Sequence, residues 1–291
     1  MAQPIALPEA APPAPPVAKR RARLSPGVWA AGGVLAAFGL MAILAPRLWP
    51  VDPLTLLPDG LTEFGMPLAP SWAHPLGTDE LGRDVFARWL HGARISLWVG
   101  FSATALAGVL GGAVGILSGY FRGWVDLVLM RVTEIVMAFP TLLLAIALAA
   151  VLPPSPWMVV LTLGLVGWTA VARVVRGAAL ALGEQEFIAA SRSTGAGSGW
   201  ILARHVLPNV APTLMSLLVL KLADMFLLEA ALSFLGLGVR PPTPSWGNMI
   251  QEGQLYFRDA PWLMLTPGLA IALIVLSANV LGDRWSQARR R

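Results

Sequence analysis

Long runs of apolar residues alternate with polar segments along most of the chain. Each run holds few or no charged residues and approaches or exceeds the roughly 20 residues that a helix needs to cross about 30 Å of hydrocarbon. Proline clusters such as Pro153, Pro154 and Pro156 separate some of the runs. The pattern predicts an all-α membrane protein with six transmembrane helices, at residues 28–45, 95–121, 127–152, 157–175, 210–235 and 262–282.

Composition supports a polytopic membrane protein over a soluble domain. Hydrophobic residues make up 56% of the chain, charged residues only 13%, and the mean hydropathy is +0.67. Cysteine is absent, which excludes disulfides and thiol chemistry within the chain. The first 27 residues, rich in Pro and Ala, predict a disordered tail. A cleaved signal peptide is the alternative, but the run at 28–45 is longer than the usual core of about 7 to 15 apolar residues.

The distribution of basic residues predicts the orientation. Six crossings place both termini on one side, and the basic residues of 19–23 and 284–291, with Arg122, Arg173 and Arg192, fall on that side. They outnumber those of the other face, which predicts cytoplasmic termini in the inner (plasma) membrane and explains the net charge of +5 without nucleic acid. The predicted segments begin with a cytoplasmic tail (1–27), a first helix (28–49) and an extracytoplasmic connection (50–94). A five-helix core (95–283) and a basic cytoplasmic tail (284–291) follow.

Small residues form a regular pattern in the second apolar run. Gly108, Gly111, Gly112, Gly115 and Gly119 recur at steps of one, three or four residues, so most of them share one face of a helix. Such a face lets a neighbouring helix approach closely. The pattern predicts tight helix packing along this run.

The chain holds no recognisable site for ATP or for bond chemistry. A phosphate-binding loop needs Gly-Lys-Ser/Thr, and the two lysines, Lys19 and Lys221, follow Ala and Leu. We therefore predict no catalytic residue and no cofactor, with ATP and Mg²⁺ bound by another chain. The three histidines are far apart in sequence and have no carboxylate at ligand spacing, so no metal site is predicted.

A stand-alone membrane enzyme is the alternative class of protein. Its strongest sequence candidate is Ser198, between Gly197 and Gly199. This serine lies in a polar segment and not at a strand-to-helix elbow, which indicates a flexible bend.

Ionisable residues within the apolar runs are candidates for a translocation path. Lys221 and Asp224 are three residues apart and can neutralise each other, as can Arg131 and Glu134. These residues could therefore serve only to neutralise each other within one helix, which is the alternative to direct contact with the substrate. Glu229 has no partner at helical spacing, which makes it the strongest single candidate for lining the path.

A polar insert at 183–209 carries the most specific pattern. Residues 188–195 read Ile-Ala-Ala-Ser-Arg-Ser-Thr-Gly, and Leu-Pro follows at 207–208. This resembles the EAA loop of the membrane subunits of ATP-binding-cassette (ABC) importers. The resemblance implies a coupling helix that docks on an ATPase subunit, with the glycine at the bend. The residues assigned to this coupling are Glu186, Ala189, Ala190, Ser191, Arg192, Gly195, His205, Leu207 and Pro208.

One position departs from the family pattern. When the loops are aligned on Gly195, the usual glutamate falls on Ala189 and the second alanine on Ser191. Glu184 and Glu186 are candidates to supply the missing acid. The resemblance implies that this change affects one polar contact to the ATPase and not the docking itself.

Further segments widen the resemblance to about residues 75–285. They are similar to the second permease subunit of dipeptide, oligopeptide and nickel importers, and they lie at 76–86, 92–97, 139–140, 232–238 and 241–247. This resemblance implies a heterodimer with a homologous permease, two ATPase subunits and an extracytoplasmic substrate-binding protein. It implies di- or oligopeptides as substrates, with nickel or another small solute such as glutathione as the alternative. No histidine falls inside a predicted span, which favours peptides over nickel.

Overall fold

A computed structural model describes residues 26–289 for the backbone and 26–284 for side chains, and helices make up most of this part. The helices are α1 (Pro26–Leu48), α2 (Val85–Phe121), α3 (Gly123–Met137), α4 (Thr141–Val151), α5 (Pro156–Gly183), α6 (Glu186–Ser193), α7 (Ser198–Ile201), α8 (Leu207–Phe234), α9 (Trp246–Gly253) and α10 (Trp262–Arg289). A π-helical turn joins α7 to α8, and a 3-10 turn follows α9. Only isolated β-bridges occur outside these helices in the described residues, which confirms the predicted all-α class.

Four of the described helices are long and apolar enough to cross a membrane, namely α1, α2, α5 and α10, and the bent pair α3 and α4 gives up to a fifth. The remaining predicted crossing, the fifth in chain order at 210–235, corresponds to α8, a 28-residue helix that carries Lys221, Asp224 and Glu229. Of the predicted tail at 1–27, only residues 26–27 are described, whereas the backbone of the predicted tail at 284–291 is described as far as Arg289. The first and last helices are both longer than predicted, because α1 begins at Pro26 and α10 continues to Arg289.

The second long helix begins ten residues earlier than predicted. The sequence places residues 50–94 in a polar connection, whereas α2 starts at Val85. Asp84 caps this start, because its Oδ1 accepts a hydrogen bond from the Ala87 amide at 2.8 Å. A negative charge at this position also interacts favourably with the helix dipole. The predicted connection at 50–94 is therefore wrong at its end: it finishes at Asp84.

The predicted third span is broken at Pro140. Sequence analysis predicts one helix over 127–152, but α3 ends at Met137, α4 begins at Thr141, and their axes differ by 87°. Pro140 adopts an extended conformation, with ψ of 127°. Proline lacks the N–H that would continue the helical hydrogen bonds, and its ring clashes with the preceding turn. An elbow results in place of the predicted straight helix.

The glycine pattern of α2 produces the close helix packing that the sequence predicts. A Cβ added to Gly115 would lie 2.5 Å from the Ala172 carbonyl oxygen and 2.8 Å from the Val175 Cβ. At Gly119 it would lie 2.7 Å from both the Ala179 Cβ and the Arg176 carbonyl oxygen. Backbone from α5 occupies the space that these side chains would need. At these positions the α2–α5 pair therefore packs without an α2 side chain between the two backbones.

Replacing Gly115 with Leu is expected to destabilise the subunit, because α5 must move away to admit the side chain. Overpacking of this kind costs about 1–3 kcal/mol. Thermal unfolding of the purified chain in detergent measures the effect as a lower Tm. Gly177→Leu is the matched control, since Gly177 lies on α5 with nothing within 4 Å of an added Cβ. Equal Tm values for the two variants would contradict this packing.

Candidate functional site

The insert at 183–209 folds into a bent helical hairpin made of α6 and α7. α6 ends in a Schellman motif, in which the Gly195 amide donates to the Arg192 carbonyl at 3.0 Å and the Ala196 amide donates to the Ser191 carbonyl at 3.1 Å. The motif needs a left-handed residue at its centre, and Gly195 has φ of +84°. Glycine adopts this conformation without the steric cost that a Cβ brings. The bend predicted at Gly195 is confirmed.

Buried apolar side chains hold the hairpin against the helix bundle. Ile188 of α6 and Ile201 of α7 are fully buried, in one cluster with Val175 and Ala179 of α5. Arg192 also packs its guanidinium over the ring of Tyr120, at 5.1 Å from the ring centre. Because these contacts join the hairpin to both α2 and α5, it behaves as part of the bundle and not as a loose loop.

The opposite side of the hairpin is exposed and partly aromatic. His205 packs edge-on against Trp200 and Phe187, with ring centres 4.9 Å and 5.7 Å away. Trp200 is 54% exposed and Phe187 is 42% exposed. Sequence analysis missed both aromatic residues, although large apolar side chains in a polar insert are the signal that could have found them.

The other predicted coupling residues occupy this hairpin or its exit. Glu186, Ala189 and Ala190 are exposed on α6, while the Ser191 hydroxyl donates to the Phe187 carbonyl at 2.8 Å. Exposed Leu207 and Pro208 form the first turn of α8, directly after the π-helical turn. The hairpin is thus continuous with α8.

The two candidate acids near the missing family glutamate have different surroundings. Glu184 contacts Arg122, with 3.2 Å between its Oε1 and the Arg122 Nη2. Glu186 lies in the first turn of α6 and faces solvent. Glu186 is therefore the acid that the exposed face of the hairpin presents.

The predicted self-compensating charge pairs both form. Lys221 Nζ lies 3.0 Å from Asp224 Oδ2, and Arg131 Nη1 lies 3.1 Å from Glu134 Oε2. Lys221 also borders a cavity of about 90 Å³ with Thr141 and Thr169.

The surroundings of Glu229 differ from those that the sequence predicts. The Ser233 hydroxyl, four residues further on, donates to its Oε1 at 2.9 Å, so the expectation of no partner at helical spacing is wrong. Ser96 of α2 and Ser245 before α9 also hydrogen-bond to it. Its side chain is 1% exposed. Glu229 thus joins three elements inside the subunit and does not line an open surface of this chain.

The end of α2 far from the hairpin carries a buried charge cluster that sequence analysis did not identify. Arg88 on α2 contacts Asp79 (Nε to Oδ2, 3.1 Å) and Glu252 on α9 (Nη2 to Oε2, 2.5 Å). Arg83 also contacts Asp79, at 2.6 Å, and Glu80, at 3.0 Å. Burial outweighs the attraction of the arginines and raises the pKa of both Glu80 and Glu252. The cluster joins the connection to α2 and α9.

Two histidines have surroundings that the sequence does not predict. His91 lies inside α2, because this helix starts earlier than predicted. His74 has a carboxylate partner, with 2.8 Å between its Nδ1 and the Asp84 Oδ2. The described side chains nevertheless contain no group of three or more His, Asp or Glu that could hold a metal ion.

Comparison with known proteins decides the family. Residues 111–291 match the family described as "Binding-protein-dependent transport system inner membrane component". The chain belongs to this family. It is therefore a permease subunit of a binding-protein-dependent importer, as the sequence resemblance predicts.

Named relatives of this permease cover most of the chain. A protein named as a peptide permease in Brucella suis biovar 1 is 41% identical over 246 residues, which are 84% of this chain and 80% of the relative. The dipeptide transport system permease DppC of Alkalihalophilus pseudofirmus is 38% identical over 250 residues, 86% of this chain and 81% of the relative.

A solved structure supports the permease fold. A chain of the MetNI methionine ABC transporter, in inward-facing conformation, superposes with a TM-score of 0.57 and 20% identity. The superposition covers 70% of this chain and 97% of the other. At this identity the likeness describes the fold alone.

The raised pKa of Glu252 gives the permease a testable dependence of stability on pH. Because its pKa in the folded state lies above the ordinary value of 4.5, protonated Glu252 contributes stability that is lost as pH rises through the folded pKa. Glu252→Gln removes this contribution. The Tm of the wild type minus that of the variant is expected to fall as the pH rises above the ordinary glutamate pKa of 4.5.

Thermal unfolding of both proteins across this pH range measures the difference. Glu63→Gln, at an exposed glutamate outside the cluster, controls for the loss of one negative charge. A Tm difference that is constant or grows with pH would contradict the assigned environment of Glu252.

Proposed function

We propose that this permease carries short peptides across the inner membrane, and that an ATPase subunit drives it through the α6–α7 hairpin. The observation that carries the proposal is a hairpin fixed to α2 and α5 on one side and exposing Phe187 and Trp200 on the other. An exposed aromatic pair on a rigid support is typical of a protein contact. ATP and Mg²⁺ bind in the partner.

The proposed assembly contains this chain, a homologous permease, two ABC ATPases and an extracytoplasmic binding protein. In this arrangement α8 also crosses the membrane and completes the six spans, although it carries three charged residues. Lys221 and Asp224 neutralise each other, and the serines around Glu229 supply it with hydrogen bonds. These contacts lower the cost of placing α8 in a bilayer.

The proposed mechanism is mechanical. ATP binding closes the two ATPases and displaces the docked hairpin. Since α7 continues into α8 through the π-helical turn, and α6 packs on α5, the displacement passes to both helices. The bundle then rocks between inward-open and outward-open states. The permease contributes geometry, and the partner contributes the free energy of ATP hydrolysis.

Gly195→Val is expected to uncouple ATP hydrolysis from uptake. A β-branched residue is strained at φ of +84°, so the Schellman motif is lost and α6 changes direction. Uptake of alanyl-alanine should fall at least about tenfold, a change equivalent to about 1.4 kcal/mol, while the ATPase continues. The measurement uses the assembled transporter in proteoliposomes with its binding protein, and ⁶³Ni²⁺ uptake in the same vesicles tests nickel as the alternative cargo.

Two variants serve as controls for this experiment. Gly197→Val places the same side chain two residues away, at φ of −68° with open space around it. Gly195→Asn keeps a residue that tolerates the left-handed conformation. Both should retain most of the uptake. Coupled uptake by Gly195→Val at the wild-type rate would contradict the role of the hairpin.

Single-cysteine labelling is expected to place the hairpin in the cytoplasm. The chain has no cysteine, so Ser198→Cys and Asp59→Cys each introduce one exposed thiol, at opposite ends of the molecule. A membrane-impermeant maleimide should label Asp59→Cys in spheroplasts and Ser198→Cys only after lysis. Labelling of Ser198→Cys in intact spheroplasts would exclude ATPase docking at the hairpin.

A further inference from the structure

A cavity of about 480 Å³ lies near the start of α2, far from the hairpin. This volume is typical of small-molecule sites. One wall is a single face of α2, because His91, Arg94, Ile95 and Trp98 recur at helical spacing. The other walls come from residues 52–54 and from 243–244. The lining is mostly apolar, with a few polar groups.

Opposite charges line this cavity without pairing. Arg94 makes no hydrogen bond or ion pair with any residue that the structure describes. Asp52 uses Oδ1 to accept the Leu54 amide at 2.9 Å, and its Oδ2 has no partner in the same part of the chain. No contact of 4 Å or less joins the two side chains. The cavity therefore presents one cation and one anion, both solvent-exposed, that do not pair with each other.

The α2 wall also contributes an imidazole and a rigid apolar surface. The His91 Nδ1 lies 2.9 Å from the Ala87 carbonyl oxygen. Because a carbonyl can only accept, the His91 Nδ1 carries a proton and donates it to Ala87. Trp98 packs edge-on against Trp157, with ring centres 4.7 Å apart, which fixes its position.

We propose that this cavity is a binding site for the two charged ends of a short peptide, with Arg94 on the carboxylate and Asp52 on the ammonium group. A guanidinium binds carboxylate with two parallel hydrogen bonds, and an extended dipeptide spans roughly 7 Å. The apolar walls accept varied side chains. Arg94 also disfavours a free metal cation here. The proposal rests on the proposed peptide transport and assigns it a receiving site.

Binding of three probes to the assembled transporter in nanodiscs, without its binding protein, tests the site. The probes are alanyl-alanine, its C-terminal amide and its N-acetyl derivative, and saturation-transfer NMR measures each Kd. The wild type should bind alanyl-alanine at least about tenfold more tightly than either blocked form, since each loses one charge-assisted contact. Arg94→Gln should abolish only the preference over the amide, and Asp52→Asn only the preference over the N-acetyl form.

This crossed pattern separates recognition from misfolding, which would affect both preferences together. Arg240→Gln and Asp59→Asn change exposed residues outside the cavity and should keep the wild-type pattern. Equal binding of all probes by the wild type overturns the proposal, as does an unchanged pattern in both variants. If Arg94→Gln reduces only the stimulation of ATPase activity by the binding protein, the cavity is a docking site for that protein and the proposal is wrong. Absence of ATP-driven peptide uptake by the wild type would instead refute the proposed function.

Discussion

The contact between α2 and α5 is the constraint on which the rest of the structure depends. Glycines at 115 and 119 bring the two backbones together, so that carbonyl groups of α5 occupy the space of absent side chains. Dispersion forces and close packing supply the stability here, because burial from lipid gains little hydrophobic free energy. With 37 residues, α2 is about 55 Å long. The pair therefore forms a stiff support that is longer than the hydrocarbon layer.

Both ends of this support carry polar structure, and they differ in kind. At the start of α2, Arg88 is buried among carboxylates from the connection and from α9. A buried cluster of this kind contributes little net stability, but removing one partner is strongly destabilising. The cluster therefore fixes the positions of the connection, α2 and α9 relative to one another. At the other end, Tyr120 and α5 hold a hairpin whose outer face is exposed. The buried charges at the first end pair with one another, while the hairpin at the other end leaves an aromatic face exposed.

Local sequence pattern predicts features that depend on a few neighbouring residues. The bend at Gly195 and the glycine face of α2 follow from backbone geometry alone, and both are found in the structure. The start of α2 was missed because Arg88, His91 and Arg94 resemble a polar loop. The partner that neutralises Arg88, Glu252, is 164 residues away. The environment of Glu229 and the aromatic contacts of His205 likewise depend on the tertiary fold.

The elbow at Pro140 has a consequence for how the subunit sits among its neighbours. An 87° bend interrupts the hydrogen-bond ladder. The Ala138 and Phe139 amides still donate to the last turn of α3, but the first amides of α4 have no preceding helical turn to donate to. Hydrocarbon offers no replacement for those bonds, and lipid-facing backbone of this kind does not occur. If this pair lies at bilayer depth, its broken edge must point inward, towards water or a second protein. Pro140 thereby marks the flank of the bundle that lipid tails do not touch.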